Sequence, residues 1–323
     1  PEDALTPYYL ALNIYGAPNS PKKDYSKTAQ YFALALDIDN KNEIDQLLPE
    51  PISVLSKENE KIELLTIKDA ISHYRYRIWA ELYNGSIEYI QKKDIQLAIN
   101  QLNVASLVSP ENALTYDMLS RLFFESQSFT QAIQNANKAL SIDNSLTDLL
   151  TLKAEIAKLN GNNIKAEEYL EEAYRIAILN NETPARLTNH MAGLFDILFT
   201  NGKKNKALSL SGKLIENDPE NVTLYSNAGA LYQNILLEEQ SKANDSLLSL
   251  SNLNEQELED IKVIFQDCIE LAKKSRENFL MCNQLELDED KSEEYYQEAK
   301  RLKQIQNELK SQIRKIDKQI DEL

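Results

Sequence analysis

Small residues recur at a fixed step of 34 through the middle of the chain, and no other feature restricts the fold as much. Ala98, Ala132 and Ala166 form one series, and Ala105, Ala139 and Ala173 form a second in the same register. Ser86, Ser120 and Ala154 keep a small side chain at a third position, while Leu82, Tyr116 and Leu150 keep a large one at a fourth. Tyr89 and Phe123 continue the pattern, with Ala157 as its third member. A period of this length marks an array of units, each too small to bury its apolar face alone. Small residues are expected where two antiparallel helices approach closely, and large ones between successive pairs. Only seven Gly and nine Pro punctuate the chain, which argues for long helices and short loops rather than a turn-rich β fold.

The residues at these positions resemble the tetratricopeptide (TPR) repeat. That pattern sets a large residue, a small one and a Tyr along a first helix, an Ala and a large residue along a second, and a Pro at the next boundary. The first unit here offers Leu82, Gly85, Ser86, Tyr89, Ala98, Leu102 and Pro110. The second offers Tyr116, Leu119, Ser120, Phe123, Ala132, Ala136 and Ala139, and the third Leu150, Ala154, Ala157, Gly161, Ala166, Leu170 and Ala173. A fourth follows after seven extra residues, with Met191, Leu194, Leu198, Gly202, Ala207 and Pro219. Tyr225, Ala228, Gly229 and Tyr232 open a fifth, after which the period breaks. Lys153, Phe195 and Asn144 depart from the pattern.

The resemblance implies an all-α, right-handed solenoid of antiparallel helix pairs ending in a long C-terminal capping helix. The spacing predicts helices over 79–92, 95–108, 113–126, 129–141, 147–160 and 163–178. The organisation reads as follows: a degenerate helix pair over 1–40; a linker or irregular insertion and a helix over 41–72, with Pro49 and Pro51; a core array over 73–239; a Ser- and Asn-rich loop over 240–254; and long helices over 255–323.

Charge excludes several functions. With 51 acidic against 35 basic residues the net charge is −16, which repels nucleic-acid phosphate and anionic membrane surfaces. No run approaches the ~18 apolar residues of a membrane span. Cys268 and Cys282 are expected on one helix, too far apart for a bridge. Neither clustered glycines nor metal-ligand spacings occur, and His73 and His190 stand alone. The acidic pairs Glu167-Glu168, Glu171-Glu172 and Glu293-Glu294 read as solvated helix faces. The expectation is a protein that is not an enzyme and takes no cofactor or metal.

What remains is surface. The resemblance implies that first helices line a concave groove. That places Tyr83, Ile87, Ile90, Leu114, Asp117, Arg121 and Phe124 there, then Thr151, Glu155 and Lys158, then Asn189, Ala192, Asp196 and Phe199. Family members that clamp the C-terminal carboxylate of Hsp70 or Hsp90 use Lys, Asn and Arg. Here those places hold Tyr83, Ile87, Met118, Asp148 and Leu152, so that role is disfavoured. The last helix carries Leu302, Ile305, Leu309, Ile313, Ile316 and Ile320. Its end, from Ile313 onward, is expected to protrude or to dock on another chain.

A scaffold that binds a protein or peptide partner is the first reading, and a transporter accessory enclosing a small ligand is the alternative. The chain starts at Pro1 without Met and is rich in Asn, Lys and Ile, which leans toward a bacterial cell-envelope setting but leaves the compartment open.

Overall fold

A computed structural model describes residues 3–42, 45–55, 60–249 and 253–323. The chain divides into two compact units, Pro1–Ile156 and Ala157–Leu323.

The first unit opens with α1 (Leu5–Tyr9), which runs on as a π-helical turn over Leu10–Tyr15, and with α2 (Tyr25–Lys41). The Asp24 side chain caps α2 by accepting from the Lys27 N–H. Tyr8, Ala11, Phe32 and Ala35 are buried in one core, so the expected N-terminal helix pair is present. The linker read over 41–60 is instead half of a hairpin, with β1 (Leu47–Leu55) antiparallel to β2 (Lys61–Thr66). Ile52, Val54, Ile62 and Leu64 alternate along one face, and Leu48 and Leu64 enter the core with Ile67 and Ile71. The register shifts between Leu47 and Ile52, where Pro49 and Pro51 remove two ladder donors. Those prolines hid the strand, because Pro in an apolar run ordinarily argues against one.

From Thr66 the chain is helical. Thr66 and Asp69 form a reciprocal capping box on α3 (Ile67–Gln91), which pairs with α4 (Ile95–Val108). A second pair, α5 (Ala113–Glu125) and α6 (Phe129–Ile142), follows, and the unit boundary falls within α7 (Asp148–Leu159). Ala98, Ala132, Ser86 and Ser120 are all buried. Ser120 donates its hydroxyl to the Ala132 carbonyl at 2.9 Å, so the small residues do sit where paired backbones meet.

The repeat is also written in the backbone. Lys93, Gln127 and Gly161 have φ of 64°, 56° and 72°, at the same 34-residue step, and Gly202 follows at 71°. Each closes the first helix of a pair with two reversed bonds. Gln127 N–H reaches Phe124 O at 2.9 Å and Ser128 N–H reaches Phe123 O at 2.8 Å, and Gly161 and Asn162 repeat this on Lys158 and Ala157.

The second unit contains α8 (Asn163–Leu179), α9 (Pro184–Thr200) and α10 (Lys204–Asn217), followed by the long α11 (Val222–Ser249), α12 (Glu255–Leu285) and α13 (Glu289–Asp321). Buried Glu167 on α8 accepts from Lys203 Nζ at 2.7 Å and Asn201 Nδ2 at 2.8 Å, which ties α8 to the turn before α10. The loop expected over 240–254 is helix as far as Ser249, with residues 250–252 outside the described residues. Ser and Asn tolerate a helix whose other side is packed, and Leu236 and Ala243 are buried. The fifth repeat takes α12 as its second helix. Gly229 lies against the Phe279 ring, where an added Cβ would stand 3.2 Å from it, and Ser275 donates to the Gly229 carbonyl at 2.8 Å.

The end of α13, expected to protrude or dock on another chain, packs on its own chain instead. Ile316 is buried within its own chain, and Ile313 and Ile320 pack partly buried on the same core as Phe265, Cys268 and Phe279. The expectation assumed a helix pair of ordinary length. With 31 residues, α12 is about 46 Å long and matches the 33-residue α13 to its end. Lys262 on α12 meets Asp317 on α13 at 2.8 Å near that end.

Candidate functional site

In the first unit, α3 is tied to α5, and α5 shares a groove with the start of α7. The tie is buried Trp79, whose Nε1–H donates to Thr115 Oγ1 at 2.7 Å. Trp79 stacks on Tyr83 with ring centroids 5.1 Å apart, which holds half-buried Tyr83 at the surface. Burial raises the Tyr83 phenol pKa, and the nearby Asp117 carboxylate adds to the rise while Arg121 opposes it. The phenol therefore stays protonated and available as a donor at neutral pH. Arg121 donates from Nε to Asp117 Oδ1 at 2.8 Å, four residues back on the same helix. So exposed a pair adds about 0.3–0.5 kcal/mol and serves mainly to aim the guanidinium.

Phe124 lies one turn on, tilted against Phe129 at 5.9 Å and packed beside Ala132, Leu152 and Ile156. Together Arg121, Phe124, Glu125, Asp148, Thr151 and Glu155 line a groove of 370 Å³. Its carboxylates outnumber its single cation, and its floor is aromatic.

Of the other expected groove residues, Ile87 and Ile90 are both half-buried, and Ile90 packs against the cluster that holds Leu102 and Leu119. Leu114 lines a separate 360 Å³ depression with Ile142 and Asp143, because the first turn of α5 lies beside the loop between pairs. Lys158, Asn189, Ala192, Asp196 and Phe199 belong to the second unit. There burial raises the Asp196 carboxyl pKa, and Lys158 counters it. Glu125 was missed. It closes α5 one turn beyond Arg121, and that i, i+4 spacing would have found it.

The remaining chemistry-bearing residues are packed. His190 is buried 3.4 Å from Glu182, with Arg186 on the same carboxylate at 3.5 Å. Burial pushes the Cys268 and Cys282 thiols up to about 11, which leaves them protonated and poorly nucleophilic. Among the described residues no group of three or more His, Cys, Asp or Glu could hold a metal ion. None of their helices is long and apolar enough to cross a membrane.

No protein-family model matches the chain. Over 225 residues it is 20% identical to DnaJ homolog subfamily C member 3 of Gallus gallus, covering 66% of this chain and 43% of that protein's length. Among solved structures it is similar to YrrB, described as a TPR protein with an unusual peptide-binding site: 15% identity, TM-score 0.45, covering 67% of this chain and 90% of that one. It is also similar to a tetratricopeptide repeat protein from Parabacteroides merdae, with 13% identity and a TM-score of 0.40, covering 92% and 97% respectively.

Proposed function

We propose that the chain is a non-catalytic scaffold that holds a partner polypeptide on the α3–α5–α7 face. The observation that carries this reading is the 370 Å³ groove, where an aromatic floor at Phe124 meets an aimed guanidinium at Arg121 and a carboxylate rim. A rim of Glu125, Asp148 and Glu155 suits a segment carrying Lys or Arg beside an apolar anchor, and disfavours a terminal carboxylate. Aromatic and Arg side chains held by their neighbours lose little entropy on binding, and they are the types that dominate interface energetics.

The test begins with affinity capture and identification of the partner by mass spectrometry. Affinity is then measured by calorimetry for the intact chain and for the Tyr83→Ala, Arg121→Ala, Phe124→Ala triple variant. The reading expects the variant to remain helical and to lose at least about ten-fold in affinity. Unaltered affinity with the fold intact would remove this groove from the account.

A further inference from the structure

The last helix carries a charge pattern that its own packing does not use. Over residues 299–320 of α13, seven Lys and Arg stand against only Glu308 and Asp317, in a chain whose net charge is −16. Lys300, Lys303, Lys310, Arg314 and Lys318 follow at steps of three, seven, four and four. On a helix this keeps them within about 80° of one another along a row of about 27 Å. All five are exposed, on a different side from buried Leu302, Leu309 and Ile316. Tyr296, also exposed, heads the row four residues before Lys300.

The row has no partner within the chain. None of its five cations makes an ion pair or hydrogen bond among the described residues. Elsewhere lysines on helices reach a carboxylate one turn away, as Lys165 reaches Glu168 and Lys242 reaches Glu239, both at 2.6 Å. Lys300, Lys303 and Lys310 have no acid three or four residues away. Asp317, three residues beyond Arg314, is held by Lys262 on α12 at 2.8 Å, and Lys262 also engages Glu259 at 3.1 Å. Asp321 and Glu322 follow Lys318 at the helix end. The helix dipole accounts for cations only in the last turn, which contains Lys318 and none of the four before it.

The row is also signed. Before Tyr296, exposed Glu289 and Glu293 lie on the same side of the helix. A uniform polyanion, whether a nucleic-acid duplex or an anionic membrane, is repelled at that end. A protein helix can carry both signs. Laid antiparallel to α13, it sets acids near its own N-terminus against the cations and a base near its C-terminus against Glu289 and Glu293, the distribution its own dipole favours. A second copy fits worse. Pairing Glu289 and Glu293 of each copy with Arg314 and Lys318 of the other brings Lys300 and Lys303 of both together at the two-fold axis.

We infer that this row docks an acidic helix of a partner protein, antiparallel to α13. The partner carries Asp or Glu at alternating three- and four-residue steps facing Lys300 to Lys318, an apolar residue on Tyr296, and a Lys or Arg in its last turn. Such complementarity sets register and association rate more than affinity. The surface is separate from the groove at Arg121, where carboxylates outnumber cations, and from Ile313, Ile316 and Ile320, which pack on the chain's own core.

Fluorescence anisotropy on the intact chain at low ionic strength tests it. The probe is a labelled, alanine-based helical peptide of about 30 residues with Glu and one Leu along a single face and Lys in its last turn. The expected result is saturable binding that weakens as salt rises and falls at least about ten-fold in the Lys310→Glu, Arg314→Glu pair. Binding should fall severalfold in the Lys310→Gln, Arg314→Gln pair and stay unchanged in the Arg121→Ala, Phe124→Ala pair. Circular dichroism checks that the variants stay helical, and if charge reversal loosens α13 the Gln pair carries the test. A peptide of the same composition with Glu spread around the helix should bind at least about ten-fold more weakly, and equal binding would overturn the inference. So would no saturation at millimolar peptide, indifference to both α13 pairs, or loss on substitution at Arg121 and Phe124. Tighter binding of phosphatidylserine vesicles or of a short DNA duplex would assign the row to a polyanion instead. A dimer in sedimentation that charge reversal dissolves would assign it to a second copy.

Discussion

Gln127 and Gly161 occupy equivalent left-handed positions in successive repeats, so exchanging their chemistry isolates the backbone contribution to the repeat turn. An L-residue in that region costs roughly 1–2 kcal/mol. Replacing glycine recovers roughly 0.5–1 kcal/mol by restricting the unfolded chain. An added Cβ at Gly161 meets nothing within 4 Å, so no packing contribution confuses the comparison. Gly161→Ala should therefore cost about 1 kcal/mol, and Gln127→Gly should stabilise by a similar or smaller amount. Thermal unfolding followed by far-UV circular dichroism reads this directly. In a unit of this size, 1 kcal/mol moves Tm by about 2–4 °C. A Gly161→Ala protein as stable as the parent, or a Gln127→Gly protein that melts earlier, would refute the claim that these turns share one strained geometry.

Ala132→Leu should cost about 1–3 kcal/mol in urea unfolding, because the buried site faces Leu152 and Ile156 with no room for three more carbons. Ile316→Ala should cost roughly 2–5 kcal/mol, and truncation after Ser311 should loosen α12, since the end of α13 is core rather than a free docking arm; an unchanged Tm would restore the docking reading. Burial pushes the Glu167 carboxyl pKa up, but Lys203 and Asn201 outweigh burial and hold it below the ordinary range. The folded state thus binds fewer protons there, and the stability this contributes is present above the unfolded pKa of about 4.3 and lost as pH falls. Glu167→Gln should cost roughly 1.5–3 kcal/mol at neutral pH, and the difference from the parent should shrink below pH ~4.

The paired helices were legible because their determinant is periodic and local. Ala98 and Ala132 are buried where a 34-residue step requires small residues, and the boundaries of α4 to α8 fall within two residues of expectation. The hairpin was not legible, because its two prolines mask a strand and its stability comes from α3 and the N-terminal helices, a tertiary contribution without periodicity. The fate of Ile316 depended on the length of α12, which no residue of α13 encodes. Register named Arg121 and Phe124, which line one groove, and also Leu114, which lines a separate depression, and Ile90, which packs half-buried beside Leu102 and Leu119. Leu114 lies in the first turn of α5, beside the loop between pairs.

The central claim is that the partner lies on the α3–α5–α7 face, and site-specific photo-cross-linking addresses it most directly. A photoreactive phenylalanine analogue at Phe124 keeps the aromatic floor, and the same group at exposed Gln131 on α6 lies outside the groove. The account predicts a partner adduct from position 124 and none from position 131. An adduct from 131 alone, or equal yields from both, would contradict it.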